Sequence, residues 1–270
     1  MSDPELATTY RRSRSDTPYL AVADSGLPSA IPKNILSSGG RLISRKLTER
    51  EEQKRRTPKT QNRNRMPWLL IFALSYLIGS IPWGYLIARA KGVDIRQHGS
   101  GNIGTANVLR VMGRKWGYLV FICDFLKGFL SVKLGALMAG FFLGNIVTGS
   151  VIAAIACVLG HDYPVWLGFK GGKGIATLVG AVLALFPVLV FVSFGAIWIL
   201  VFLIGRFTSL ASITAAIALP VAVWLIVAKT EPDFPSLLGF SILMAALAIW
   251  RHRSNIVRLL NGTENRFRRK

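Results

Sequence analysis

From residue 66 to residue 250 the chain repeats one pattern, an apolar run closed by a short polar loop, and this repetition constrains the fold more than any other feature. A helix crosses the hydrocarbon core of a bilayer with about 20 mostly apolar residues, because its backbone N–H and C=O groups find no water there and must bond one another. Seven such runs are present, at approximately residues 67–89, 116–140, 143–160, 174–188, 190–206, 211–229 and 235–250. The spacing therefore predicts an all-α, polytopic membrane domain over residues 66–270. Only Phe186-Pro187 divides the fourth run from the fifth, so one long kinked or re-entrant element is a competing reading there. The shorter runs imply tilt or local thinning of the bilayer. Composition agrees, since 51% hydrophobic and 17% charged residues are too apolar and too charge-poor for an ordinary soluble domain of 270 residues.

Residues 1–65 differ in kind. They hold 14 Lys/Arg and 7 Asp/Glu among Ser, Thr and Pro, with only short apolar scraps such as Tyr19-Leu20-Ala21-Val22, and read as a disordered basic extension. The seven acidic residues argue against a transit peptide, and no apolar stretch long enough for a signal peptide precedes residue 66. Met66 is followed at once by PWLLIFALSYLIGS, which makes it a candidate natural start.

The chain carries 33 Lys+Arg against 13 Asp+Glu, a formal charge of +20, and such a surplus attracts anionic partners: nucleic acid, lipid headgroups or phosphorylated substrates. Its distribution is informative. Arg89, Lys91, Arg96, Arg110, Arg114 and Lys115 fall in the first loop, Lys170 and Lys173 in the third, Arg206 in the fifth, and seven more basic residues follow residue 250. The even loops hold only Lys229, beside Glu231 and Asp233. The positive-inside rule then puts the odd loops and the C-terminus in the cytoplasm, and seven spans put the N-terminus outside. A basic leader on that side conflicts with the same rule. Cys123 and Cys157 lie inside apolar runs without C-x-x-C or Cys/His spacing and are read as inert core residues.

The glycine-rich motifs all gather on the predicted cytoplasmic side. In HGSGNIGTANVLR (98–110), Gly99, Gly101 and Gly104 formally match the dinucleotide-binding pattern G-x-G-x-x-G, but no strand precedes them and the acidic residue at the right distance, Asp124, lies inside an apolar run. The underlying physics survives: glycines let consecutive N–H groups face one concavity, and a following helix N-terminus adds positive potential that suits a phosphate. Ser100, Asn102, Thr105 and Asn107 add donors and Arg110 a planar fork. A tight, flexible turn is the alternative. In GHDYPVWLGFKGGKGIATLVG (160–180), Lys170-Gly171-Gly172-Lys173-Gly174 puts two ammonium groups on a backbone that can approach an anion closely, just before a predicted helix. It is not a Walker A loop, because Leu167 stands five before Gly172 and Gly174 occupies the Mg²⁺-binding Ser/Thr position. Positive-inside topology alone also explains lysines there, and His161 reads equally as a structural cap.

The fifth loop, Arg206-Phe207-Thr208-Ser209-Leu210-Ala211-Ser212, offers hydroxyls and one arginine, or simply an N-cap for the next span. Beyond the last run, His252 and Asn255 are three apart and share a face of a continuing helix. Arg251, Arg253 and Arg258 around them are what snorkelling at a membrane exit produces. Asp124, Lys127 and Lys133 lie within the second run, where ionisable groups face an interior or a cavity; Asp124 and Lys127, at i and i+3, can neutralise each other.

These loops thus combine cations and donors with hardly a carboxylate. Metal-assisted phosphoryl transfer needs clustered Asp/Glu, whereas the loops offer Asp94 and Asp162. No His is followed by Asp at H-x-x-x-x-D spacing and no G-x-S-x-G elbow is present, so the conventional acyltransferase and hydrolase bases are missing. Such a site suits substrates that already carry phosphate, activated by orientation and charge stabilisation.

Four segments in register, SYLIGSIPWGYLIARA with GSGNIGTANVLR, GHDYPVWLGFKGGKGIAT, RFTSLAS and HRSNIVRLLNGTE, resemble the bacterial acyl-phosphate:glycerol-3-phosphate acyltransferase family, PlsY, over residues 67–265. The resemblance implies a seven-span inner-membrane enzyme, its active site facing the cytoplasm, that moves a fatty acyl group from acyl phosphate to the 1-hydroxyl of glycerol 3-phosphate. The products are lysophosphatidate and phosphate, at the first step of phospholipid synthesis. It implies no cofactor, no metal and no nucleic acid; the partners are acyl phosphate, glycerol 3-phosphate, the lipid bilayer and an upstream acyl-phosphate-forming enzyme. Residue by residue it implies catalytic roles for Ser100, Asn102, Lys173 and His252, with Gly101, Gly104, Asn107, Arg110, Lys170, Gly172, Ser209 and Asn255 binding substrate. The family runs G-A-T-N where this chain has Gly104-Thr105-Ala106-Asn107, which displaces a hydroxyl by one position. A transporter of phosphorylated solutes is the competing reading, disfavoured by the absence of a visible inverted repeat, and a non-catalytic anionic-lipid binder is a third.

Overall fold

The computed structural model describes residues 66–267, and the expected disordered extension lies outside them. Among the described residues the regular structure is helical throughout, with no strand. The α-helices are α1 (Met66–Ser80), α2 (Trp83–Arg89), α3 (Thr105–Met112), α4 (Arg114–Phe142), α5 (Ile146–Asp162), α6 (Ile175–Leu185), α7 (Val188–Gly205), α8 (Thr208–Ile226), α9 (Phe234–Arg251) and α10 (Arg253–Leu260), with short 3₁₀ turns at Ile95–Gln97 and Val165–Leu167. Exposed Leu, Ile, Val and Phe side chains cover the outer faces of α4, α7, α8 and α9, the pattern of a surface solvated by lipid tails. The chain is a multi-pass membrane protein.

Among the described residues five helical stretches are long and apolar enough to cross a membrane: Met66–Arg89, Ile146–Leu167, Val188–Gly205, Thr208–Ile226 and Phe234–Arg251. The second expected span is α4, 29 residues long but carrying Asp124, Lys127 and Lys133. The fourth is α6, whose 11 residues cover only about 16 Å at the helical rise. It is short for a local reason: Gly174 enters in the left-handed conformation (φ 71) and Phe186 leaves in an extended one, ahead of Pro187. Two helices, rather than one kinked element, therefore occupy residues 174–206.

Glycines bring the central helices together. A Cβ on Gly79 of α1 would overlap the Cys157 carbonyl of α5, and one on Gly180 of α6 would overlap the Phe125 carbonyl of α4, so both contacts are backbone against side-chain-free backbone. The break between α1 and α2, imposed by Pro82, frees carbonyls that a continuous helix would have used. Lys127 takes them up: its Nζ donates to Gly79 O (2.9 Å) and Ile81 O (3.0 Å) and pairs with Asp124 Oδ1 at 2.9 Å. The mutual neutralisation read from the i, i+3 spacing is present, and the lysine also caps a broken helix. Cys157 is buried and Cys123 partly so, with no disulfide. On the α6–α9 side the apolar core centres on Phe194, Leu219, Phe240 and Met244.

Candidate active site

The polar loops at one end of this bundle enclose a cavity of about 850 Å³. Ser100, Asn102, Gly104, Asn107 and Arg110 reach it from the first loop and α3. Lys173 comes from the loop before α6, Ser209 from the start of α8, and His252 and Asn255 from the α9–α10 junction. Segments separated by more than 150 residues of sequence thus share one wall. Gly101, Lys170 and Gly172, the other three expected site residues, do not line it.

The first loop is folded by its own side chains. Gly99 and Gly101 adopt φ of 61 and 71, in the left-handed region that glycine enters at no steric cost. Asn102 Oδ1 accepts from Gly104 N (2.8 Å), which sets up the first turn of α3. Asn107 is buried and its amide is turned into the loop: Oδ1 accepts from Ser100 N (2.8 Å), while Nδ2 donates to Asn102 O (2.8 Å) and His98 O (3.0 Å). It therefore holds the loop's shape instead of presenting the donors read from the sequence. Thr105 begins α3 and lines the cavity, but its Oγ1 is buried and has no hydrogen-bond partner among the described residues. Arg110 lies over the Phe267 ring, its guanidinium carbon 4.8 Å from the centroid.

Lys173 donates to Asn255 Oδ1, which joins the glycine loop to α10. Burial, with the nearby Arg258 charge, brings its ammonium down to about 8 from the ordinary 10.5. Burial and Lys173 likewise bring His252 down to about 4, and its Nδ1 lies 2.8 Å from Ala248 O. A carbonyl accepts only, so Nδ1 carries the proton, and the neutral ring keeps Nε2 as an acceptor. Gly172 and Gly101 serve the backbone: a Cβ on Gly172 would overlap the His161 ring, and one on Gly101 would come 3.1 Å from Arg96 O.

One carboxylate, Glu264, escaped the sequence reading. Its Oε1 accepts from Ser209 Oγ (2.9 Å) and Asn255 Nδ2 (2.7 Å), and Oε2 pairs with Arg258 Nε at 2.7 Å. Burial opposes its charge, but the hydrogen bonds from Asn255, Arg258 and Ser209 prevail and keep the carboxyl below its ordinary range. The only advance signal was an acid in a basic tail. No three His, Cys, Asp or Glu side chains among the described residues converge so as to hold a metal ion. Apolar side chains line it as well: Phe121 of α4, Val179 of α6 and Phe194, Trp198, Phe202 and Leu203 of α7. The cavity therefore offers groups that suit an anion and groups that suit an alkyl chain.

The family model for glycerol-3-phosphate acyltransferase matches residues 69–262. The chain belongs to the glycerol-3-phosphate acyltransferase family. It is 48% identical over 201 residues to the glycerol-3-phosphate acyltransferase of Aquifex aeolicus, covering 74% of this chain and 98% of that protein. It is 44% identical over 203 residues to the enzyme of Thermosynechococcus vestitus, covering 73% and 93%. A crystal structure of PlsY, an integral membrane glycerol 3-phosphate acyltransferase, in its glycerol 3-phosphate form superposes with a TM-score of 0.65 at 45% identity, covering 74% of this chain and 96% of that one. The lysophosphatidic acid form gives 0.64 at 44% identity. Acyltransferase family membership thus accords with a cavity lined by both cationic and apolar side chains.

Proposed function

We propose that this glycerol-3-phosphate acyltransferase takes its acyl group from an acyl phosphate and places it on the 1-hydroxyl of glycerol 3-phosphate. The products are 1-acyl-glycerol 3-phosphate, lysophosphatidate, and inorganic phosphate. The observation that carries the reading is the convergence of four separate loops on one cavity lined by both cationic and apolar side chains. Similar proteins have been crystallised in glycerol 3-phosphate and lysophosphatidic acid forms, which match the proposed acceptor and product. The positive loops of this end, as the positive-inside rule reads them, put the site at the cytoplasmic face of a bacterial inner membrane.

In this scheme Arg110 and Lys173 hold the acceptor phosphate, and Ser209 and Asn255 fix its edge. The Ser100 hydroxyl, the Asn102 N–H and the first N–H groups of α3, which no other described group takes up, receive the donor phosphate, and Gly104 leaves the backbone room to approach it. Asn107 keeps that loop in shape. His252, neutral and with Nε2 as acceptor, orients the attacking hydroxyl. The hydroxyl oxygen attacks the acyl carbonyl, the bond from that carbon to the phosphate oxygen breaks, and the hydroxyl proton passes to the departing phosphate. No protein base is needed, because the leaving group is itself the acceptor, and the loop stabilises the charge it develops. A ring brought down to about 4 would be a weak base near neutrality. The alkyl chain lies along α7.

Purified protein in detergent, given radiolabelled glycerol 3-phosphate in EDTA, tests the donor. Lysophosphatidate forms with palmitoyl phosphate and not with palmitoyl-CoA. Product from the CoA ester alone would overturn the assignment.

A further inference from the structure

Arg251 ends α9 at the polar face of the bundle, where a basic side chain needs no special reason to be. Yet it does not snorkel. Its side chain is 15% exposed and turns inward, Nε lying 3.7 Å from Asp162 Oδ2 of α5. The same fork reaches two successive carbonyls of the glycine loop: Nη2 donates to Gly171 O (3.3 Å), and Nε donates to Gly172 O (3.2 Å). The guanidinium carbon also sits 4.7 Å from the centroid of the Tyr163 ring.

The loop's N–H groups are fixed from the opposite side. Gly171 N donates to Asp162 O (3.2 Å) and Gly172 N to His161 O (3.0 Å), so both peptide edges of Gly171-Gly172 are occupied. Asp162 itself is wholly buried, neither carboxyl oxygen has a hydrogen-bond partner among the described residues, and Arg251 is the described cation that reaches within 4 Å of it. One residue further along, Lys173 meets Asn255. Two points on the α9–α10 junction, Arg251 and Asn255, therefore hold the segment that carries the ammonium.

We propose that Arg251, packed beside Asp162, is a positioning residue for Lys173: by clamping the Gly171 and Gly172 carbonyls it fixes the backbone that aims the ammonium at the acceptor phosphate. This rests on the reading that Lys173 grips that phosphate. A lysine at position 251 would keep the charge but not the planar fork that spans two carbonyls at once.

Steady-state kinetics of the full chain in detergent, with unfolding temperature followed in parallel, decide it. Arg251→Gln raises the KM for glycerol 3-phosphate about 10- to 100-fold, the range of one or two charge-assisted hydrogen bonds lost, and leaves kcat within about threefold and the donor KM unmoved. Arg251→Lys shows a smaller rise in the same constant. Because Arg251 acts through Lys173, the double variant with Lys173→Met has the KM of Lys173→Met alone, within about twofold. A native acceptor KM in Arg251→Gln, or defects that multiply in the double variant, overturns the inference while the phosphate reading stands. A native acceptor KM in Lys173→Met removes both. Should Arg251→Gln not fold, a native acceptor KM in Arg251→Lys is the overturning result.

Discussion

At the scale of single residues, the proposed scheme separates groups that hold substrate from groups that hold the site. It predicts that Arg110→Ala and Lys173→Ala each raise the KM for glycerol 3-phosphate about tenfold or more, the cost of one charge-assisted contact to phosphate, whereas His252→Ala keeps substantial turnover, since in that scheme it orients and does not take the proton. A His252→Ala enzyme with normal substrate binding and no turnover would contradict the base-free scheme. Protonation adds a second check. Burial brings Lys173 down to about 8, so in the free enzyme the ammonium is lost as pH rises through that value, and kcat/KM for glycerol 3-phosphate declines on the alkaline side. That limb disappears in Lys173→Met. His252, near 4, stays neutral from pH 5 upward and contributes no inflection in the neutral range. Most of these residues were legible as donors at a membrane edge, because glycine, amide and cation in one short segment have few uses there. The partners of each were not. Asn107 read as a donor and is consumed by its own loop. Glu264 meets Ser209 from 55 positions away, and no local pattern encodes that pairing. Arg251 looked like any arginine at a helix exit, because its partners, Asp162 and the Gly171 and Gly172 carbonyls, are brought to it from a distant segment by the fold.

At the scale of elements, hydrophobic length told where helices run and failed to tell how far each one crosses. The seven apolar runs correspond to helical segments, but α6 spans about half a hydrocarbon core and α4 carries Asp124, Lys127 and Lys133 inside its apolar stretch. The reason is that Gly174 and Phe186-Pro187 stop α6 at both ends, while the charges of α4 are paid back by partners on other helices. Lys127 shows this most clearly, as it both neutralises Asp124 and caps the carbonyls freed where Pro82 breaks α1. Lys127→Met leaves a buried carboxylate without its ammonium and the Gly79 carbonyl without its donor, and destabilises the protein in detergent by about 3–5 kcal/mol, measured by thermal or chemical unfolding. Adding Asp124→Asn recovers part of the loss. A single variant as stable as the parent would show that the pair contributes nothing to the fold.

At the scale of the whole molecule, the charge bias across the loops and the position of the cavity agree on one polar face. Lys170 is exposed on that face and does not line the cavity, whereas Glu231 lies in the α8–α9 loop, the sixth loop between the expected spans and so expected on the other side. Cysteines placed at these two positions report the orientation, with Cys123 and Cys157 replaced by Ala. A membrane-impermeant maleimide labels Lys170→Cys in inside-out vesicles and Glu231→Cys in spheroplasts; the reverse pattern would put the site on the outer face. Convergence itself was the least legible property, since the sequence shows four motifs in order and says nothing of their distance in space. The most direct test of the account is a structure of this chain with glycerol 3-phosphate bound. The account predicts the phosphate between Arg110 and Lys173, with the glycerol 1-hydroxyl turned toward His252 and the first loop. Glycerol 3-phosphate bound outside this cavity, with Arg110 and Lys173 left free, would contradict it.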